Sequence, residues 1–259
     1  MRLNQLVEKF YQTEKVKSGR LFLRYLGLRN PEREKDAIIA YSYIRWLDDL
    51  VDCGINPDAA YCTLEQEEKL MKDLARGDKS DMESYPYLIH LHQKYGDRIL
   101  DLFQNMIEVL RIDNEIIRTG NPLDEKSFAQ RINHTLVPYE ILSLIAFGRE
   151  LEYTKEFTML MQSWIYYDAL RDLKEDLSAG LILFSKEELN HYGVNFKIGM
   201  PVPPSFRKMY DEVKRRTIRD LILYSSSVQG TNMPVLEKIA LHGYFLLRPI
   251  KLAASKYPF

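Results

Sequence analysis

The stretch RWLDDLVD, residues 45–52, sets three aspartates in a run of bulky apolar side chains. On a helix, at ~100° per residue, Tyr41, Arg45, Asp48 and Asp52 fall within about 60° of one another and share one face. A glycine and a proline soon after Asp52 indicate that this helix ends there. The acids then crowd a helix end where the macrodipole is already negative, so a cation should lie nearby.

A second acidic stretch, DALRDLKED at residues 168–176, repeats the pattern. Asp168, Asp172 and Asp176 are spaced at i, i+4 and i+8, which predicts one helix face with Glu175 beside it, and like charges at this spacing repel by roughly 0.2–0.5 kcal/mol per pair. Aromatic and aliphatic neighbours flank both stretches, which disfavours the alternative of two solvated helix faces. Carboxylates that face each other from two helices are typical ligands of Mg²⁺, which usually shares its shell with substrate phosphate. The predicted metal ligands are Asp48, Asp52, Asp168, Asp172 and Asp176.

The composition is that of an ordinary globular protein. The 259 residues include 36 basic and 37 acidic side chains, so no charge surplus indicates a nucleic-acid partner. Two cysteines make neither a disulfide framework nor a zinc site. The first residues lack the apolar core of a signal peptide, and no apolar run reaches the ~18 residues of a membrane span. We therefore expect a cytoplasmic protein.

The periodicity of apolar residues is helical, and no strand alternation is sustained. Neither a nucleotide-binding glycine motif nor a zinc-protease or serine-hydrolase motif is present. The sequence predicts one all-α domain over residues 1–259, a helical bundle around a central apolar cavity. The expected helices cover residues 3–16, 31–53, 62–76, 85–95, 97–119, 124–147, 150–179, 205–229 and 233–256.

The two acidic motifs, in this order and at about this distance, resemble those of the squalene/phytoene synthase family. The resemblance runs from about residue 17 to the C-terminus and implies an isoprenoid-synthase-type fold. It also implies two or three Mg²⁺ ions that bind a prenyl diphosphate, with Asp48, Asp52, Asp172, Asp176 and Tyr41 as catalytic residues. The implied substrate-binding residues are Arg20, Phe22, Arg45, Arg171, Tyr244 and Arg248.

Three features depart from the family pattern. Leu21 stands where a hydroxyl residue is common, and Asp168 stands where the family usually has Asn. The stretch RINHTLVPY, residues 131–139, replaces small residues that would let a prenyl chain lie close to the backbone. His134 is a weaker candidate site residue in this stretch.

The resemblance implies an enzyme that ionises farnesyl or geranylgeranyl diphosphate and joins it to a second prenyl diphosphate. The ionising half follows from the acids, the arginines and the aromatic rings at Tyr41, Tyr43, Trp164, Tyr166 and Tyr167, which could face a carbocation. Two alternatives stay open: cyclisation of the cation or its transfer to an aromatic, indole-type acceptor, and a non-catalytic assembly or binding role. Related synthases often work near membranes, so we expect at most peripheral membrane contact.

Overall fold

The computed structural model describes residues 29–52, 56–152, 154–195 and 202–258. Within these ranges the regular structure is helical and contains no strand, which confirms the all-α prediction. The described part of the chain contains no helix that is both long and apolar enough to cross a bilayer. The helices are α1 Pro31–Asp52, α2 Pro57–Ala75, α3 Tyr85–Tyr95, α4 Asp97–Thr119, α5 Glu125–His134, α6 Val137–Phe147, α7 Lys155–Arg171, α8 Leu173–Ala179, α9 Lys186–His191, α10 Pro204–Tyr224 and α11 Val235–Ala254, with a 3₁₀ helix at Ser225–Gly230 before α11.

Side-chain caps fix several helix starts. Asn56 Oδ1 accepts a hydrogen bond from the Asp58 amide at 3.0 Å, and Pro57 begins α2. Helix α2 thus begins at Pro57, five residues before the predicted start at residue 62. Proline suits the first helical position because the backbone N–H that it lacks would have no partner within the helix there. Asp124, Thr154 and Ser185 cap α5, α7 and α9 in the same way.

Two predicted helices are each divided. The helix expected over residues 124–147 ends at His134 and begins again at Val137, with Pro138 in the first turn of α6. The helix expected over residues 150–179 begins only at Lys155 and is interrupted at Asp172. The single helix predicted to carry the second acidic motif is therefore wrong, since its three aspartates belong to two helices and the junction between them.

The described chain forms two compact units. Unit 1 comprises the described residues up to Asn114 together with Leu136–Glu150. Unit 2 comprises Glu115–Thr135 and the described residues from Leu151 onward. The first acidic motif belongs to unit 1 and the second to unit 2. A single domain around a central cavity stays a prediction.

In unit 1, α1 packs against α2, α3 and α6. Tyr43 and Leu47 on α1 are at most 1% exposed, and the Tyr43 ring meets Phe103 edge-on with centroids 5.0 Å apart. Arg33 Nη1 donates to the Ala146 carbonyl at 2.7 Å and so ties the start of α1 to the end of α6. Burial of each large apolar side chain contributes about 1.5–3 kcal/mol, so this core holds α1 in place.

In unit 2, α7 is the central helix. It packs against α5, α8, α10, α11 and the 3₁₀ helix, and α10 packs along α11. Ile165 on α7 shares a buried cluster with Phe128 and Ile132 of α5. The apolar part of the unusual 131–139 stretch thus contributes Ile132 to the core of unit 2.

Two of the buried carboxylates of unit 1 have contrasting partners. Asp36, 1% exposed, lies 2.7 Å from His90 Nε2 and accepts hydrogen bonds from Lys94 Nζ at 3.0 Å and the Tyr95 hydroxyl at 2.8 Å. Burial alone raises the pKa of Asp36, but these three donors outweigh it and leave the pKa lowered. The buried charge is therefore compensated by a cation.

The second buried carboxylate, Glu67, has neutral hydroxyl partners. Tyr43 donates to Oε2 at 2.8 Å, and the Ser84 hydroxyl lies 2.8 Å from both oxygens. Burial raises the pKa of Glu67, and the two hydroxyls only partly offset this. The two carboxylates should therefore affect stability with opposite pH dependence.

Asp36→Asn should lower the free energy of unfolding by on the order of 3 kcal/mol at pH 7, because it leaves the His90, Lys94 and Tyr95 donors poorly paired. A lowered carboxyl pKa contributes stability above the unfolded pKa, so the deficit should persist down to about pH 5 and shrink as pH falls below about 4. Urea unfolding followed by circular dichroism measures it. Asp81→Asn on the exposed loop is the control and should change little; equal effects of the two variants would contradict the assignment.

Glu67→Gln should have the opposite pH signature. A raised carboxyl pKa favours the protonated folded state, so the wild type loses stability as pH rises from the ordinary Glu value through the raised one. The Gln variant keeps an acceptor for Tyr43 and cannot ionise, so its stability relative to the wild type should increase over that interval. Urea titrations between pH 4 and pH 8 measure the difference, and a difference that does not vary with pH would reject the prediction.

Candidate functional site

The first acidic motif lies on the last two turns of α1. Arg45 Nη1 donates to Asp48 Oδ2, and Arg45 Nη2 donates to Asp49 Oδ1 at 3.0 Å. These side chains are between a quarter and two fifths exposed. Arg45 thus neutralises part of the acidic end of its own helix. Asp52 closes the helix, and its side chain lies outside the described part.

The aromatic residues near the first motif have different environments. Tyr43 is core, with its hydroxyl bonded to Glu67, and Trp46 packs on it with centroids 5.8 Å apart. Burial raises the pKa of the partly buried Tyr41, with Arg45 opposing the shift and Asp48 adding to it. Tyr43 is therefore a structural residue, whereas Tyr41 lies within the electrostatic field of the motif.

The second acidic motif lies where α7 ends and α8 begins. Asp172 ends α7 and precedes α8, with φ −95° and ψ 5°. Its amide donates to the Asp168 carbonyl, and its carbonyl accepts from the Asp176 amide, both at 2.9 Å. The four-residue hydrogen-bond spacing is thus kept across the break, although the helix is not continuous.

Arg171 connects two carboxylates of this motif. Its Nε donates to Asp172 Oδ1 at 2.8 Å and its Nη2 donates to Asp172 Oδ2, which makes a bidentate pair. Its Nη1 lies 2.6 Å from Asp168 Oδ1. That oxygen is buried and accepts no hydrogen bond of good geometry, although the Asp168 side chain as a whole is 35% exposed. Arg171 therefore gives Asp168 an ionic contact without satisfying it.

Burial disfavours the ionised form of Asp168. Burial raises the pKa of Asp168 to about 6, Arg171 and Arg248 oppose the shift, and Asp172 adds to it. A carboxylate whose ionised form is disfavoured in this way gains most from another cation.

Arg248 of α11 brings a second cation to the motif. Its guanidinium lies 3.9 Å from the ring centroid of Tyr244, 4.9 Å from that of Trp164 and 5.4 Å from that of Tyr167. Nη1 also contacts the Tyr167 hydroxyl at 3.4 Å. Each such cation–π contact contributes ~0.5–2 kcal/mol. We call Arg248 with Trp164, Tyr167 and Tyr244 the arginine cage.

The cage is built on α7 and α11 alone. Trp164 and Tyr167 stack with centroids 5.1 Å apart, and Trp164 also packs against Tyr244 at 5.0 Å. Tyr166, on another side of α7, faces Arg216 at 4.9 Å, and Arg216 pairs with Glu188 at 2.6 Å. The rings expected near the second motif thus already face arginines.

The structure therefore brings together four sequence-predicted site residues of unit 2 beside Asp168: Arg171, Asp172, Tyr244 and Arg248. Asp176 lies one turn further on, half-buried in α8. Arg20 and Phe22 lie outside the described residues. The sequence suggested Trp164 and Tyr167 only as rings that could face a carbocation. The i, i+3, i+4 and i+7 spacing of Trp164, Tyr167, Asp168 and Arg171 places these four residues on one helix face, so the position of the two rings beside the motif could have been inferred.

The donor set of the second motif suits a magnesium ion that is held partly by its substrate. No three His, Cys, Asp or Glu side chains in the described ranges form a ready-made metal cage. Mg²⁺ normally takes one or two protein carboxylates and completes its shell with water and substrate phosphate. Asp168, with its unsatisfied buried oxygen, and Asp172 fit that smaller role.

Comparison with known proteins gives no assignment: no protein-family model matches this sequence, and no curated protein matches it significantly.

Gly180 terminates α8 and so supports the position of Asp176. It has φ +89°, and the next amide, that of Leu181, donates to the Asp176 carbonyl at 2.8 Å. Gly180→Ala should cost about 1–2 kcal/mol, because a Cβ disfavours the left-handed conformation. Thermal or urea unfolding measures the loss.

Gly243→Ala is the matched control, because Gly243 lies inside α11 and a Cβ there meets nothing within 4 Å. That variant should gain roughly 0.5–1 kcal/mol, the usual benefit of replacing a helical glycine. Similar losses in both variants would show that the conformation at Gly180 is not the cause.

Proposed function

We propose that the chain is a Mg²⁺-dependent prenyltransferase that ionises an allylic prenyl diphosphate, farnesyl or geranylgeranyl, and couples it to a second prenyl diphosphate. One observation carries the proposal. Asp168 and Asp172, held by Arg171, lie beside a second guanidinium, Arg248, on a wall of aromatic rings. Carboxylates for a divalent cation, arginines for phosphate and an apolar aromatic surface are the three elements that a prenyl diphosphate requires.

The residues of unit 2 have distinct roles in this proposal. Arg248 is held among the rings of the cage, and we assign its remaining N–H groups to the diphosphate oxygens. Arg171 holds Asp172 in a fixed orientation. Mg²⁺, when bound, neutralises charge on the leaving diphosphate. As the C–O bond breaks, its electron pair leaves with the diphosphate and a carbocation remains on the prenyl chain.

The aromatic rings serve Arg248 in this proposal. Trp164 and Tyr167 are 5% and 3% exposed and face the guanidinium, so they hold it and keep solvent from that side of it. For the first acidic motif, the assignment of Tyr41, Asp48 and Asp52 to the same chemistry rests on the sequence pattern. The coupling step rests on the family resemblance, and the product analysis below tests it separately.

The direct test is incubation of the purified chain with farnesyl or geranylgeranyl diphosphate and Mg²⁺, each with and without an indole-type acceptor. We expect Mg²⁺-dependent release of diphosphate and a product with the mass of two joined prenyl chains. Diphosphate release with a cyclic, hydrolysed or indole-linked product would reject the coupling half alone. No release from either substrate would reject the proposal.

Asp172→Asn should lower kcat/KM by roughly 10²–10³-fold, the usual cost of removing one electrostatic contributor to a transition state. The chain offers a matched control, because Arg219 and Asp220 form a second Arg–Asp pair of adjacent residues, with Nε to Oδ1 also 2.8 Å. Asp220→Asn should leave kcat/KM within about twofold.

Binding is measured apart from turnover by thermal stabilisation with Mg²⁺ plus inorganic diphosphate. The wild type and Asp220→Asn should be stabilised, and Asp172→Asn should not. Arg248→Lys keeps the charge but loses the flat stacking, so it should weaken diphosphate binding more than Arg219→Lys does. Stabilisation that is equal in all variants would remove unit 2 from the proposed site.

A further inference from the structure

The outward face of α11 is apolar along its whole length. Six large aliphatic side chains on it are between 42% and 69% exposed. They recur at helical spacing and extend over ~22 Å, at 1.5 Å per residue. They are Val235, Leu236, Ile239, Leu246, Leu247 and Ile250, and we call them the α11 apolar face.

Two charged residues of α11 lie on its inner side. Glu237 is 8% exposed, and Arg248 is held in the arginine cage. Phe245 and Leu252 are buried on the same inner side. In an ordinary surface helix the large apolar residues face the core, so the exposure of six of them on α11 is unusual.

None of the described residues covers the middle of this face. Gly243 lies there, and a Cβ added to it would meet no atom within 4 Å. The neighbouring helix α10 adds Ile222 and Leu223, which are 55% and 60% exposed near its end. His242 Nδ1, 2.8 Å from the Ser225 carbonyl, places that end of α10 beside the middle of α11. Apolar side chains in this number are unusual on a free surface and indicate an interaction site.

The positive charge around the face favours an anionic partner. The chain as a whole is balanced, but residues 214–256 contain eight basic and two acidic side chains. Of the two acids, Glu237 is buried and Asp220 is paired with Arg219. Two of the basic residues, Arg216 and Arg248, are engaged inside the unit. Among the other six, Arg219 pairs with Asp220, and Lys214 and Lys238 each donate to a backbone carbonyl. All six are exposed or half-exposed: Lys214, Arg215, Arg219, Lys238, Lys251 and Lys256.

A basic border around an aliphatic face is complementary to an anionic lipid surface. Basic side chains near such a surface each contribute about 1 kcal/mol of attraction, and aliphatic side chains enter the boundary between headgroups and acyl chains. A second copy of the chain fits less well, because a two-fold contact would place the same basic residues opposite one another.

We propose that the α11 apolar face docks unit 2 on an anionic bilayer surface, with α11 parallel to the membrane plane. The aliphatic side chains enter the headgroup region, and the surrounding lysines and arginines contact lipid phosphates. This surface is separate from the residues assigned to diphosphate binding, and its test needs no substrate.

The experiment is flotation of the full chain with phosphatidylcholine vesicles and with vesicles that also contain phosphatidylglycerol. The wild type should bind the anionic vesicles, and added salt should weaken the binding. The double variant Ile239→Glu/Ile250→Glu should reduce the partition coefficient about tenfold or more. Tyr61→Glu, at a residue 45% exposed on α2, is the control for a new surface charge and should bind like the wild type.

Circular dichroism checks that the double variant is folded, and Ile239→Ala/Ile250→Ala gives a second measure, with a smaller loss expected. Absence of wild-type binding to anionic vesicles would overturn the proposal, as would equal binding by the glutamate variant. Sedimentation velocity tests the remaining alternative, in which a second copy of the chain covers the face. A dimer that the glutamate variant abolishes, with no vesicle binding by the wild type, assigns the face to a second copy and also overturns the proposal.

Discussion

The compensation of buried and half-buried carboxylates governs the described structure. Asp36 has Lys94, His90 and Tyr95 around it, and Arg45 bridges Asp48 and Asp49. Arg171 serves Asp168 and Asp172 at once, and Arg248 adds a second positive field. At Asp168 burial outweighs the neighbouring Arg171 and Arg248, and the pKa stays raised. A bound cation can stabilise the ionised form of such a carboxylate beyond what the neighbouring side chains achieve.

The helical class and most helix positions could be predicted because apolar periodicity and caps are local signals. Asn30-Pro31 and the end of α1 at Asp52 agree with the sequence prediction. The breaks at Thr135 and Asp172 could not be predicted in the same way. Pro138 tolerates either a kink or a new first turn, and only the packing of the flanking segments decides between them. Asp172 has no glycine or proline beside it, so the interruption of the helix has no local sequence signal.

The candidate site was predictable in part for a similar reason. The acids and arginines at i, i+3 and i+4 could be placed on helix faces, and the structure brings Tyr244 and Arg248 to the second motif. The partner of each aromatic ring could not be read from spacing, because Trp164 and Arg248 are far apart in sequence and meet through packing. The exposed face of α11 could not be predicted from the sequence. Apolar residues at helical spacing are expected in the core, and only their exposure in the structure shows that they lie on the surface.

The chain order of unit 1 has a consequence for synthesis on the ribosome. Arg33 donates to the carbonyl of Ala146, 113 residues further along, and the segment between them includes Glu115–Thr135 of unit 2. The N-terminal half therefore cannot complete its own packing until α6 has emerged, and contacts of such long sequence separation form slowly. During that interval the nascent chain exposes the inner side of α1, with Ala37, Ile38 and Leu47, to whatever binds unfolded apolar segments.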